Sequence, residues 1–140
     1  MYKKSVRIIT LVLIAALLLS TAVLATENRA SEYISDRTAY ILPTGGGSIN
    51  IYFDVTATGR MSTLGASVIK VYKSNGDMVK TFRSVFDGYE YMVASNVIAY
   101  DNYVTYDGVP GQSYYAVVTF YAADSTGSDS IPHTTSTVQA

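Results

Sequence analysis

Cysteine and tryptophan are absent from this chain of 140 residues, and histidine occurs only once. Without cysteine, the protein has no disulfide, no thiolate nucleophile and no thiolate metal ligand. The single histidine, His133, follows Pro132 in the last predicted strand and has no nucleophile-elbow motif beside it. A serine-histidine-aspartate hydrolase needs a histidine base within reach of its nucleophile. We therefore interpret His133 as a solvent-facing strand residue.

Glutamate is also scarce. Glycosidases place two carboxylates across a cleft, but the only glutamates are Glu27, Glu32 and Glu90, and the first two lie near the N-terminal end of the predicted domain. An enzyme would instead need a concave pocket in which acids converge around Asp54 or Asp101. We predict that the protein is not an enzyme and that it uses no cofactor.

A long apolar run occurs in one place only, near the start of the chain. The opening "MYKKSVR" is basic, and the apolar run Ile8–Ala25 that follows it ends on small residues. This order is typical of a secretory signal peptide and predicts cleavage after Ala25. The run is nearly long enough to cross a bilayer, so an uncleaved membrane anchor is the alternative. Polar interruptions at Thr10 and Ser20 favour cleavage.

We expect residues 1–25 to be a signal peptide, 26–31 a flexible N-terminal lead and 32–140 a single domain of a secreted protein. Cleavage removes three of the ten basic residues and none of the eleven acidic ones, which leaves a net charge of −4. An acidic chain without a basic cluster lacks the charge pattern of proteins that bind nucleic acid or anionic lipid. The expected partner is an extracellular glycan or protein, and the membrane is met only through the signal peptide before cleavage.

After the predicted signal peptide, the chain alternates as β-strands do. The stretch "SINIYFDVTAT" at 48–58 places Ile49 and Phe53 on one face and Tyr52 on the other, and this period of two continues for ten residues. Tyrosine and β-branched residues, which suit a half-buried sheet surface, are abundant. About seven short strands with turn signals between them predict an all-β fold with two sheets packed face to face.

A hairpin is predicted where two strands flank Asn75–Gly76. Asn-Gly favours a two-residue type I′ turn. That turn pairs Ile69 with Phe82 and Tyr72 with Val79.

Two other stretches carry local signals. The segment "DGYEYMVASNVIA" from Asp87 is compatible with a loop or with one helical turn. In "SDSIPHTTSTV", Pro132 predicts that the last strand lies at a sheet edge or contains a bulge, because proline cannot donate to a ladder.

The stretch "VPGQSYYAVVTFYAADSTGSDSIPHTT" resembles the last hairpin of fibronectin type III domains and related immunoglobulin-like sandwiches. Tyr114 follows Pro110 at the spacing that these domains use. The resemblance implies an immunoglobulin-like or fibronectin III-like two-sheet β-sandwich of about seven strands. It also implies that Tyr114 is a corner tyrosine whose hydroxyl bonds the backbone just upstream. In two departures, Phe53 replaces the usual core tryptophan and Gly108 replaces the usual leucine.

A second resemblance covers most of the chain after the signal peptide. The order "GASVIKVYKS … VKTF … VTYDG … YYAVVTFYA" is similar to a family of small secreted proteins of Gram-positive, clostridia-like bacteria. That family is classed as a domain of unknown function. The resemblance implies an exported bacterial protein and brings no activity and no site residue with it.

Outward-facing tyrosines are the first candidate site. Alternation directs Tyr52, Tyr115 and Tyr121 to the outside of their strands, and Tyr72 as well if its neighbour Val71 is in the core. If these four share a sheet face, they form a platform for a sugar ring or a protein strand. The alternative is that they only stabilise cross-strand pairs on a solvated sheet. The absence of tryptophan weighs against carbohydrate.

The loop "DSTGSD", from Asp124 to Asp129, is the second candidate and is predicted to be a binding loop. Its oxygens suit calcium, but its spacing does not fit an EF-hand. A plain hairpin loop is favoured, with Gly127 at a positive φ and the aspartates making local turn bonds. No metal site is predicted.

Three classes of function remain open at this point. A non-catalytic extracellular binding module for a glycan, the cell wall or a protein is favoured, and it predicts a contiguous aromatic patch. A secreted assembly or inhibitor protein that acts through protein–protein contacts is the alternative, and it predicts an oligomer or an open sheet edge near Pro132. A small enzyme is the third.

Overall fold

The computed structural model describes residues 31–140, so the predicted signal peptide and residues 26–30 of the predicted lead lie outside the described part of the chain. This part of the chain contains nine strands: β1 (Ile34–Gly45), β2 (Ser48–Met61), β3 (Thr63–Lys73), β4 (Met78–Arg83), β5 (Val93–Ala94), β6 (Val97–Asp107), β7 (Ser113–Ala123), β8 (Ser128–Thr134) and β9 (Val138–Gln139). One short 3-10 turn, Glu90–Met92, lies between β4 and β5, so the helical alternative holds for the "DGYEYM" segment. Within residues 31–140, no helix is long and apolar enough to cross a membrane.

The strands form two antiparallel sheets. The three-stranded sheet has the order β1-β2-β6, and the six-stranded sheet has the order β4-β3-β7-β8, with β5 paired to β3 and β9 paired to β7. The two sheets pack face to face, which confirms the predicted all-β sandwich. Seven strands are six residues or longer, as the turn spacing predicted, and the two further strands have two residues each.

The core lies between the sheets and follows the alternation of the sequence. Every second residue of β2 from Ile49 to Ala57 is buried, and so is every second residue of β7 from Tyr114 to Ala122. Phe53, in the position of the usual tryptophan, is 1% exposed. Burying a side chain of this size stabilises the fold by about 1.5–3 kcal/mol. The apolar faces of β2 and β7 therefore provide much of the stability that a domain without disulfides requires.

The β3–β4 hairpin differs from the prediction by one residue. Its loop has three residues, because Lys73 N–H donates to Asp77 O at 2.8 Å and Gly76 N–H donates to Lys73 O at 2.9 Å. Gly76 alone in this loop has a positive φ, whereas a type I′ turn also requires one at Asn75. Ile69 pairs with Phe82 as predicted, but the extra loop residue shifts the register, and Tyr72 pairs with Met78 instead of Val79.

The β6–β7 corner is built around Tyr114. This side chain is fully buried, and Val109 N–H donates a hydrogen bond of 2.9 Å to its hydroxyl. That is the contact expected of a corner tyrosine. A Cβ atom at Gly108 would lie 2.8 Å from the Tyr114 hydroxyl. The departure from leucine at position 108 therefore has a physical reason, since the tyrosine ring occupies that space.

The last long strand, β8, lies at an edge of the six-stranded sheet and contains Pro132, in agreement with the prediction. The interpretation of His133 as solvent-facing was wrong. His133 is partly buried, and its ring meets Phe120 edge-on, with the ring centroids 6.3 Å apart. Alternation along β8 places Ile131 and His133 on its inner side, because Pro132 occupies the outer position between them.

Candidate functional site

A row of three tyrosines crosses the outer face of the three-stranded sheet. Tyr40 of β1 lies directly opposite Tyr52 of β2, which in turn lies opposite Tyr103 of β6. The ring centroids are 5.0 Å apart in the first pair and 5.1 Å apart in the second. The two outer rings remain 46% and 44% exposed. We call Tyr40, Tyr52 and Tyr103 the tyrosine row.

The rings of the tyrosine row pack against one another. Tyr40 and Tyr52 are nearly parallel, with an angle of 9° between their planes, and Tyr103 is tilted by 36° against Tyr52. At such centroid distances, the rings are offset and their faces overlap. The faces of Tyr52 are thus largely covered by its two neighbours. The central ring therefore presents its edge and hydroxyl to solvent, whereas Tyr40 and Tyr103 are each stacked on one side only and stay almost half exposed.

Hydrogen bonds on the neighbouring cross-strand pair hold the middle of the row. Thr105 Oγ1 donates to Asn50 Oδ1 at 2.8 Å, and Asn50 Nδ2 donates to the Tyr52 hydroxyl at 3.3 Å. A polar chain thus runs from β6 through β2 to the central tyrosine. It restricts the Tyr52 ring before any ligand arrives, which lowers the entropy lost on binding.

Carboxylates flank the tyrosine row on its other side. Asp54 and Asp101 lie directly opposite each other in the β2–β6 register, one position beyond Tyr52 and Tyr103 on the same face. Both side chains are exposed, on the outside of the sandwich. Like charges placed directly opposite each other disfavour the pair, so this arrangement is not explained by the stability of the sheet.

Another exposed tyrosine lies near the β6 edge of the three-stranded sheet. Tyr91, in the 3-10 turn, is 42% exposed. The pKa of Tyr91 is raised, first by partial burial and then by the nearby hydroxyls of Tyr89, Tyr103 and Tyr100. The turn is attached to β6 because the Tyr100 hydroxyl and the Asn102 side-chain amide both donate to the Tyr91 carbonyl. Tyr100 and Asn102 lie opposite the core residues Val55 and Phe53, so the turn is fastened to the side of β6 that faces away from Tyr103.

The other three predicted contact tyrosines lie on the outer face of the six-stranded sheet. Tyr72 and Tyr115 are directly opposite each other, with ring centroids 5.1 Å apart and planes 10° apart. Tyr121 lies further along β7, opposite Gly65 and Ser130. All three are partly exposed.

The four predicted tyrosines therefore do not form one ligand face. Tyr52 lies on one side of the sandwich, and Tyr72, Tyr115 and Tyr121 lie on the other. Sequence reasoning missed Tyr40 and Tyr103, which lie beside Tyr52. A signal for both was present, because each directly neighbours a residue, Ala39 or Val104, that is buried in the core.

The predicted binding loop is a hairpin loop held by its own hydrogen bonds. Asp124 Oδ1 accepts from the backbone N–H groups of Thr126, at 2.7 Å, and Gly127, at 3.2 Å, and from the Thr126 hydroxyl. The bond from the Thr126 hydroxyl is the largest cause that lowers the pKa of Asp124. The expectation of a positive φ at Gly127 was wrong. A Cβ atom there would instead lie 2.5 Å from the Tyr33 hydroxyl.

The second carboxylate of this loop region, Asp129, fastens the start of the domain to β8. Its Oδ2 accepts from the Ser31 hydroxyl and, at 3.3 Å, from Tyr33 N–H. These bonds, the one from Ser31 foremost, lower the pKa of Asp129. Both aspartates thus serve the local structure, and residues 31–140 contain no group of three side chains suited to hold a metal ion.

The bonds of Asp129 predict a pH dependence of stability. Because the folded-state pKa is lowered, the stabilisation is present above the unfolded pKa of about 4 and is lost as the pH falls through the folded value. Asp129→Asn is therefore expected to lower the free energy of unfolding at pH 7, and its difference from wild type should shrink below about pH 4. Urea unfolding of both proteins at several pH values measures this difference. A difference that is constant down to pH 2 would contradict the role assigned to the carboxylate.

No protein-family model matches the chain, and no curated protein matches it. The assignment of a function therefore rests on the chemistry of the tyrosine row and of the residues around it.

Proposed function

We propose that this protein is a secreted, non-catalytic binding module, and that its contact surface is the outer face of the three-stranded sheet. The observation that carries the proposal is the contiguous row Tyr40, Tyr52 and Tyr103, two of whose rings are almost half exposed. Tyrosine is a strong contact residue because it is large, rigid and polar at its tip. Cross-strand tyrosine pairs also stabilise a sheet, but that stabilisation does not account for the two opposed carboxylates beside them.

The geometry favours a ligand that meets ring edges, hydroxyls and carboxylates. A glycan bound by stacking needs an open ring face, and the central ring of the row, which is stacked on both sides, offers none. A protein surface satisfies such a site more fully, because it supplies hydrogen-bond donors, cations and apolar groups together. The assembly or inhibitor alternative therefore differs from the main proposal only in the identity of the protein partner.

Secretion completes the proposal. The basic opening followed by the apolar run to Ala25 supports export and removal of residues 1–25. Mass spectrometry of the protein recovered from the culture medium is expected to find a chain that begins at Thr26. A cell-bound chain that keeps residues 1–25 would contradict this part.

Co-sedimentation tests the contact surface. The purified protein is incubated with peptidoglycan, mucin, insoluble polysaccharides and intact cells, beside a Tyr40→Ala/Tyr103→Ala variant and a Tyr72→Ala/Tyr115→Ala variant. The second variant is a matched control for these materials, because it removes two stacked tyrosines from the opposite face, to which the proposal assigns no part in binding them. We expect the first variant to lose at least tenfold in affinity for any material that the wild type binds, and the control to keep it. Equal loss in both variants would contradict the assignment of the surface.

A further inference from the structure

The two outer faces of the sandwich carry charges of opposite sign. Four aspartates point outward along the three-stranded sheet: Asp36, Asp54, Asp101 and Asp107. The one basic residue that points outward from its described strands, Arg60, lies at the far end of β2, and its guanidinium donates to the Asn96 carbonyl at 2.6 Å. In the described strands of the six-stranded sheet, Lys70 and Arg83 point outward, and no acidic residue does.

Each face also combines its charge with a row of stacked tyrosines at the same spacing. On the acidic face, Asp54 and Asp101 are two residues along their strands from Tyr52 and Tyr103. On the basic face, Lys70 is two residues along β3 from Tyr72, which stacks on Tyr115. Two residues along a strand correspond to about 7 Å on both faces. Both faces therefore combine stacked tyrosines with charged residues, and the charges on the two faces are opposite in sign.

From this complementarity we infer that the partner of the acidic face is the basic face of a second copy of this chain. The inference rests on the proposed contact surface and names its occupant. Opposite charges on the two faces favour this contact and disfavour contact between two acidic faces. The contact is heterologous, because two different faces meet. A row of such copies therefore keeps one unpaired face at each of its two ends. The expected product is an open, head-to-tail oligomer.

The area of the two faces sets the expected strength of association between copies. Three strands about 4.8 Å apart and about 11 residues long present about 500 Å². Two such faces in contact bury about 1,000 Å² in total, at the low end for specific interfaces. Association is therefore expected to be weak, dependent on concentration and weakened by salt, because the exposed charges are screened.

The face-to-face contact also leaves the sheet edges out of the assembly. Pro132 removes one backbone donor from the β8 edge, which makes that edge a poor acceptor of an added strand. The sequence suggested that an assembly protein would use an open edge near Pro132. Association through the faces does not require that edge.

Sedimentation velocity of the purified protein tests the inference with two charge-reversed variants. Asp54→Lys/Asp101→Lys replaces the two acidic residues beside the tyrosine row by basic ones, and Lys70→Glu/Arg83→Glu makes both faces acidic. The wild type is expected to shift to larger species between about 10 μM and about 1 mM at low salt. Each variant alone is expected to associate at least tenfold more weakly. An equimolar mixture of the two variants is expected to recover association, since each variant then meets a face of opposite charge.

The outcomes separate this inference from the proposed function. The inference is overturned if the wild type stays monomeric up to 1 mM, which is about the weakest association that such an experiment detects. Loss of a panel ligand by the Tyr40→Ala/Tyr103→Ala variant would still support the contact surface in that case. Association that Lys70→Glu/Arg83→Glu leaves unchanged also overturns it, because the basic face would then take no part. Circular dichroism of each variant confirms that the sandwich is intact.

Discussion

Replacement of Gly65 by alanine is expected to prevent the protein from folding. Gly65 is buried in β3, between Tyr121 of β7 and Val93 of β5. A Cβ atom at this position would lie 2.2 Å from the Met92 carbonyl oxygen and 2.8 Å from the Val93 Cα. Both are backbone atoms, so no side-chain rotation relieves the overlap. The 3-10 turn and β5 would have to leave β3, which exposes Met92 and the core around it.

We expect the free energy of unfolding to fall by more than about 4 kcal/mol, in the range that only a few mechanisms reach. Small domains are stable by only about 5–15 kcal/mol, so much of the protein is expected to be unfolded. Circular dichroism and urea unfolding measure the effect. Gly59→Ala in β2 is the matched control, because a Cβ atom there meets nothing within 4 Å. Equal stability of the two variants would show that β5 does not pack on β3 as described.

The second large effect is expected at the β6–β7 corner. A Cβ atom at Gly108 would lie 2.8 Å from both Cε2 and the hydroxyl oxygen of Tyr114. The ring has no room to move, because it is fully buried and meets Tyr106 edge-on at 5.4 Å. Gly108→Ala is therefore expected to lower the free energy of unfolding by about 3 kcal/mol, as overpacking of a core does.

A double-mutant cycle isolates the cause at this corner. Tyr114→Leu removes the ring that fills the space above Gly108. If the collision is the cause, Gly108→Ala is expected to cost at least about 1 kcal/mol less in the Tyr114→Leu background than in the wild type. Chemical denaturation of the four proteins gives the coupling. If the losses of stability from the two substitutions simply add, Tyr114 is not the reason why position 108 requires glycine.

Alternation along each strand is what the sequence specifies best. The inward positions of β2 and β7 were predicted residue by residue, because a period of two depends only on local order and burial. The bond from Val109 N–H to the Tyr114 hydroxyl was implied by the resemblance to fibronectin type III domains, which rests on a short spacing after Pro110. These features need no knowledge of which strands are neighbours.

The composition of the candidate site could not be obtained in this way. Alternation shows that Tyr52 and Tyr115 point outward from their strands, but not that β2 and β7 belong to different sheets. Sheet membership depends on pairings between distant parts of the chain, such as β2 with β6, and local patterns do not encode them. Tyr40 and Tyr103 become candidates only once β1, β2 and β6 are known to be neighbours.

The predictions for two turns were wrong in detail, one for a local reason and the other because of a distant residue. At Asn75–Gly76, the Asn75 side chain accepts from Asp77 N–H at 3.0 Å. That bond accompanies a three-residue loop. The Asn-Gly dipeptide alone did not distinguish such a loop from a two-residue turn. At Gly127, the nearby Tyr33 side chain, almost a hundred residues earlier in the chain, excludes a larger residue. Glycine was correctly read as necessary at a turn, but the physical reason was a close contact.

Hydroxyl-radical footprinting of the tyrosines tests the central claim most directly, since it reports which side chains a partner covers. The purified protein is labelled when dilute, when concentrated, and when bound to any material that it sediments with, and each tyrosine is quantified by mass spectrometry. We expect Tyr40 and Tyr103, exposed in the isolated chain, to lose most of their labelling in the associated or bound state. Equal labelling of both residues in the free and the bound protein would contradict a contact surface on the outer face of the three-stranded sheet.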